Sequence, residues 1–291
     1  MKVAGFSFIR NAVQFDFPIV EAITSILPLC DEFVVAVGDS DDDTLALILA
    51  IPSDKIRIIR TTWDRTARAG GRVLAQETDK ALAAVSPDVD WAFYIQGDEV
   101  LHEQDVPVVR QAMQTYLSDS EVEGLLFRYL HFYGSYNYVG DSRRWYRREV
   151  RVIRNTGDVV SYKDAQGFRK RGNQKLRVKL IDAYIYHYGW VRPPKTQHTR
   201  LQSMHRFYHA DDLGDVPKAD ETPDFDYSRA DSLLPFAGVH PAVMQARVDR
   251  LKWPFTFDTR RKNLSPRVRF LAFIEKLTGW RIGEYRNYKL L

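Results

Sequence analysis

The tetrapeptide Gln96-Gly97-Asp98-Glu99 follows an apolar, aromatic run, Trp91-Ala92-Phe93-Tyr94-Ile95. A buried strand that ends on two acids bears a desolvation cost unless those acids are paired or hold a cation. Mn²⁺ or Mg²⁺ held there would neutralise the charge of a diphosphate leaving group. Acids also favour helix N-termini, so a cap on the next helix is an equal reading of the same spacing. A second group is His187, in Tyr184-Ile185-Tyr186-His187-Tyr188-Gly189-Trp190. Imidazole suits Mn²⁺ as an additional ligand. A lone histidine after an aromatic strand is more often a packed side chain, and it becomes a ligand if the fold brings it to Asp98.

Arginine density is the third signal. Arg143, Arg144, Arg147, Arg148, Arg151 and Arg154 fall within twelve residues. Guanidinium groups pair bidentately with phosphates, although at least half of such a run should be a solvated face. The strand pattern makes Arg151 and Arg154 the inward pair. The stretch Tyr129 to Tyr138 is aromatic. Aromatic faces with polar edges suit a sugar ring or a base, and core packing is an equally good reading.

The elements that must position these groups alternate between strand and helix. Apolar runs at Lys2–Ile9, Phe33–Val37, Lys55–Arg60, Trp91–Ile95 and Glu123–Leu130 suit buried strands, and amphipathic helical patterns separate them. That order predicts an α/β fold with a mostly parallel sheet covered by helices on both faces. Ligands of such sheets bind at the carboxyl ends of the strands. Arg10-Asn11, Asp39 to Asp43 and Gln96 to Glu99 all stand there. Glu149–Arg154 and Leu176–Tyr188 read as further strands, with Ser161–Arg171 as a loop between them. Pro194–His209 reads as a polar helix, and Pro266–Leu277 as an amphipathic one with Phe270, Leu271, Ile274 and Leu277 on a stripe. The expected organisation is a nucleotide-binding half (1–135), an acceptor-binding half (136–210), an acidic linker (211–235) and a basic helical arm (236–291).

An apolar fraction of 45% over 291 residues supports a real core. The single cysteine, Cys30, excludes an internal disulfide and reads as buried packing. No secretory leader or membrane span is legible, so a cytoplasmic protein is expected. The net charge of +4 is uneven. From Leu251 to Leu291 ten Lys or Arg stand against three acids, while the preceding 250 residues carry 32 basic and 35 acidic side chains. A basic arm on an otherwise acidic chain argues against nucleic-acid binding and for peripheral contact with the inner membrane face. Packing of the arm onto the body is the alternative.

The order of these features resembles glycosyltransferase family 2, the nucleotide-sugar-dependent enzymes of the GT-A fold, over residues 3 to 190. Gln96 to Glu99 resembles that family's Asp-x-Asp-Glu turn, with Gln96 in place of the first acid. Ser40, Asp42 and Thr44 match its Ser-x-Asp-Gly-Thr turn, with Asp43 where glycine is usual. The resemblance implies a Rossmann-like GT-A domain with a C-terminal acceptor region. It implies a metal site of Asp98, Glu99 and His187 for Mn or Mg. The donor, UDP- or GDP-linked, would contact Arg10, Asn11, Asp39, Asp42, Arg72, Gln96 and Gly97 besides Arg151 and Arg154. His131, Tyr133, Trp145 and Trp190 would face the sugar or the acceptor. Asp164, or else Asp141, would be the general base of an inverting transfer to a glycan or lipid-linked acceptor. Two rivals share these residues. A nucleotidyltransferase would carry a glycine-rich loop after the first strand, where Arg10-Asn11-Ala12-Val13 stands instead. A binding module with a decayed site would account for Gln96.

Overall fold

The structure, a computed structural model, describes residues 1–64, 66–67, 69–205 and 223–291. Its strands are β1 (Val3–Ile9), β2 (Glu32–Val37), β3 (Ile56–Arg60), β4 (Trp91–Tyr94), β5 (Glu99–Leu101), β6 (Gly124–Tyr133), β7 (Tyr138–Gly140), β8 (Arg148–Arg154), β9 (Val159–Tyr162), β10 (Gly167–Lys170), β11 (Gln174–Trp190), β12 (Leu233–Pro235) and β13 (Tyr288–Leu290). The α-helices are α1 (Ile19–Ile26), α2 (Thr44–Leu49), α3 (Arg72–Ala83), α4 (Val106–Thr115), α5 (Pro194–His205), α6 (Gln245–Asp249) and α7 (Pro266–Thr278).

The main sheet runs β3-β2-β1-β4-β8-β6-β11-β10-β9. The first four strands are parallel, β8 is antiparallel to both β4 and β6, and β6 is parallel to β11. The carboxyl ends of β1 to β4, β6 and β11 therefore share one edge. The expected α/β sheet with flanking helices is what the chain forms, with β8 as the antiparallel member inside it.

Period-two alternation explains why both faces are covered. Phe33, Val35, Trp91 and Phe93 pack with Ile19, Ile23 and Ile26 of α1 and Val109 and Met113 of α4. Their sequence neighbours Val34, Ala36, Ala92 and Tyr94 pack on the other face with Val73, Leu74 and Ala81 of α3. Cys30 is buried, its thiol against the Ile26 carbonyl at 3.2 Å, and burial pushes its pKa up to about 12.

Two expectations need correction. The supposed loop at 161–171 is the β9–β10 hairpin, whose turn places Lys163 and Ala165 at φ of 57° and 62° with no glycine to announce it. On α7, Leu271 and Ile274 are half-buried, whereas Phe270, Phe273 and Leu277 form the exposed stripe. Of the expected linker, 211–222 lies outside the described residues, and the rest holds a single 3₁₀ turn and β12. The end of the Pro194–His209 pattern, 206–209, also lies outside them.

Candidate active site at the carboxyl edge of the sheet

A cavity of about 280 Å³ opens where β1 and β4 end. Arg10, Asn11, Gln96, Gly97 and Asp98 line it from those strand ends, Trp63 from the segment after β3, and Asp164 and Gln166 from the β9–β10 turn. His187 of β11 and Arg200 of α5 complete its polar wall. Arg10 is held by the Asp39 carbonyl at 2.9 Å and carboxylate at 3.3 Å, with its guanidinium over the Trp63 ring.

Asp98 is 5% exposed, and a carboxylate stays charged there only with positive groups or hydrogen-bond donors close by. Burial works to raise its pKa, but His187 when protonated, with Arg200 and Arg192, outweighs that and holds it low. Arg200 Nη2 lies 3.5 Å and Arg192 Nη2 3.6 Å from Asp98 Oδ2. Arg192 is fully buried, pinned by the Phe15 carbonyl at 2.7 Å and by the Gly189 carbonyl. The sequence reading missed both arginines, because neither stands in the arginine-dense run.

His187 is oriented by a relay. The Nε2 of His131 lies 2.7 Å from the Tyr146 carbonyl, which only accepts, so His131 carries its proton on Nε2. Its Nδ1 then accepts from Nδ1 of His187 at 3.0 Å. That leaves Nε2 of His187 as a bare lone pair, 3.7 Å from Asp98 Oδ1. Burial lowers the pKa of both rings, and most strongly that of His131.

Two lone-pair donors facing each other beyond hydrogen-bond distance fit a shared cation, whose oxygen ligands sit at about 2.1 Å for Mg²⁺. Gly189 leaves the room for this approach: a Cβ there would stand 2.6 Å from the His187 ring and 3.0 Å from Asp98 Oδ2. Among the described residues no group of three or more His, Cys, Asp or Glu could hold a metal ion. Asp98 and His187 would therefore hold Mn or Mg together with oxygens of a bound ligand.

Glu99, expected as a third ligand, is turned away. Its Oε1 and Oε2 accept from Arg151 Nη2 and Nε, both at 2.8 Å, and Tyr129 donates to Oε1 at 2.8 Å. Arg151 is thereby consumed in the core and does not line the cavity, contrary to its reading as a donor contact. Arg154 is also corrected: it stacks on Trp91 and donates to the Tyr116, Val122 and Asp119 carbonyls, at the opposite end of β8. Asp42 accepts from the Gln14 backbone at 2.7 Å and from Thr44, so it braces two loops and does not line the cavity. Asn11 clasps Asp41 and Gln14. Arg72 is exposed at the start of α3 and lies outside the cavity lining.

Gln96 donates from Nε2 to the Ala165 carbonyl at 3.0 Å. A carboxylate at this position has no proton to donate, so the amide ties the turn at β4 to the turn that carries Asp164. Asp141 lies apart, paired with Lys262 at 2.9 Å beside a second cavity that His131 and Trp145 also line. Tyr133 is 3% exposed and stacks on Trp190 at 5.7 Å, while Arg144 covers Trp145 and Trp190.

The fold and cavity define an α/β protein with its pocket at the carboxyl edge of a partly parallel sheet. No family model matches the sequence, and no curated protein does. Among solved structures the chain is similar to Staphylococcus aureus TarS 1-349 in complex with UDP, at TM-score 0.41 and 12% identity over 70% of this chain and 64% of that one. It is similar to glucosyl-3-phosphoglycerate synthase from Mycobacterium tuberculosis in complex with Mn²⁺, UDP and phosphoglyceric acid, at TM-score 0.31 and 22% identity over 45% and 43%. It is also similar to 4-diphosphocytidyl-2C-methyl-D-erythritol synthase from Anaerococcus prevotii, at TM-score 0.35 and 11% identity over 53% and 71%. The chain thus spans under two thirds of the length of the TarS fragment. With each of these TM-scores below 0.5, chemistry is assigned on the site's own geometry.

Proposed function

We propose that the chain is an inverting, nucleotide-sugar-dependent glycosyltransferase of GT-A architecture. The observation that supports this best is the meeting of Asp98, His187, Arg200 and Arg10 with Asp164 in one cavity. Arg10 and Trp63 offer a charged and a flat surface for the nucleoside, UDP- or GDP-linked. Arg200, 3.5 Å from Asp98, would share its charge with the diphosphate. A cation held by Asp98 and His187 would supply charge neutralisation at the leaving diphosphate. Asp164 takes the proton of an acceptor hydroxyl. The hydroxyl oxygen then bonds to the anomeric carbon as the bond to the diphosphate breaks, and the configuration inverts. The acceptor is a glycan or a lipid-linked sugar.

Steady-state transfer by Asp164→Asn tests the assignment of the base. The variant should lose about 10²–10⁴ in kcat while its affinity for the donor nucleotide is kept. Unchanged kcat would remove Asp164 from the reaction.

A further inference from the structure

A second cavity of about 400 Å³ lies between the aromatic residues Tyr129, His131, Trp145 and Tyr146 and helix α7. It abuts the first: Tyr146 lines both, and His131 touches His187 across the wall. Five cations line it, Arg143, Arg147, Lys262, Lys276 and Arg281, against two acids, Asp141 and Glu275. Glu275 takes Arg143, Arg147 and Arg281, and Asp141 takes Lys262. Arg147 also pairs with Glu284 at 2.9 Å, just behind the wall, and Lys276 makes no ion pair among the described residues, so the five cations keep an excess of two positive charges over these three acids. A structural ion network needs no such excess. Arg281 is 7% exposed, which places one of these charges away from bulk water, where an anion is bound more strongly.

We infer that this cavity is an outer acceptor subsite, for the unit next to the one whose hydroxyl meets Asp164 in the first cavity, and that it takes an anionic sugar, one bearing a phosphate or a carboxylate. The volume suits a single monosaccharide unit. The aromatic side meets the ring, and the α7 side meets the charge. This rests on the glycosyltransferase reading for the word acceptor, but the anion preference stands on the cavity itself.

Calorimetric titration of the full chain with glucose 6-phosphate, glucuronate and glucose, with and without saturating UDP or GDP and Mn²⁺, tests it. At least one of the two anionic sugars should bind, and glucose should not bind at the same concentrations. Lys276→Gln should weaken that binding about tenfold, the size of one charge-assisted contact, and Lys262→Gln/Lys276→Gln should weaken it further. Nucleotide affinity should not move. Equal binding of glucose and the anionic sugars, no binding of either anionic sugar, or affinities unmoved in both variants would overturn the inference. Failure of the donor reading would appear separately, as no nucleotide binding in the same titrations.

Discussion

Gly189 sets the distance between Asp98 and His187, because a methyl group at that position would press on both. Gly189→Ala should therefore abolish the Mn²⁺-dependent part of nucleotide affinity, and lower stability by about 1–3 kcal/mol through overpacking. Titration with nucleotide in Mn²⁺ and in EDTA, beside thermal melts, reads both effects. Metal-dependent affinity equal to that of the parent chain would contradict the shared-cation geometry. At this scale the sequence was informative about acids and histidines. Asp98 and His187 stand out because a carboxylate or an imidazole at the end of an apolar run needs a partner. Arg192 and Arg200 did not stand out, since nothing local distinguishes an arginine whose partner lies a hundred residues away. Glu99 was misread for the same reason: its partner, Arg151, arrives on an antiparallel strand that no local pattern places beside β4.

The acidic turn is held as a unit by elements on either side of it. β8 brings Arg151 to Glu99 in a fully buried pair, and the neighbouring rings of Tyr94 and Tyr129 lie 5.3 and 5.4 Å from the guanidinium carbon. Removing one partner leaves a bare charge in the core, which costs about 3–5 kcal/mol. Arg151→Met should show that loss in urea denaturation, and Arg151→Met/Glu99→Leu should recover most of it. A single variant within 1 kcal/mol, roughly the worth of an exposed pair, would contradict the burial of this pair. The alternating apolar strands β1 to β4 and β6 were legible as elements, as were β8, β11 and the main helices. The β9–β10 hairpin was not, because Lys163 and Ala165 adopt left-handed backbone without the glycine or asparagine that usually signals it. That hairpin carries Asp164, the proposed base, to the cavity.

The charge asymmetry acquires a shape in the whole molecule. Helix α7 is tied to the body through Glu275, and the arm's three acids, Asp258, Glu275 and Glu284, are all taken by arginines. Outward it presents Phe270, Phe273 and Leu277, each about 60% exposed or more, followed by Trp280, with Arg267 and Arg269 beside them. No helix of the described residues is long and apolar enough to cross a membrane. An apolar stripe ringed by cations suits the interface of an anionic bilayer. Sedimentation with vesicles should therefore show binding to phosphatidylglycerol and not to phosphatidylcholine, weakened by salt and lost in Phe273→Ser/Leu277→Ser. Binding that is absent from both lipids, or unaltered in the variant, would leave the arm as a packing element alone.

On the proposed reading, one cavity holds a nucleoside diphosphate through Asp98, His187 and the arginines beside them. Calorimetric titration of UDP and GDP into the chain and into Asp98→Asn, each in Mn²⁺ and in EDTA, tests it most directly. One nucleotide should bind, more tightly in Mn²⁺, and Asp98→Asn should remove the difference. A chain that binds neither nucleotide, or an Asp98→Asn variant that keeps the full response to Mn²⁺, would contradict it.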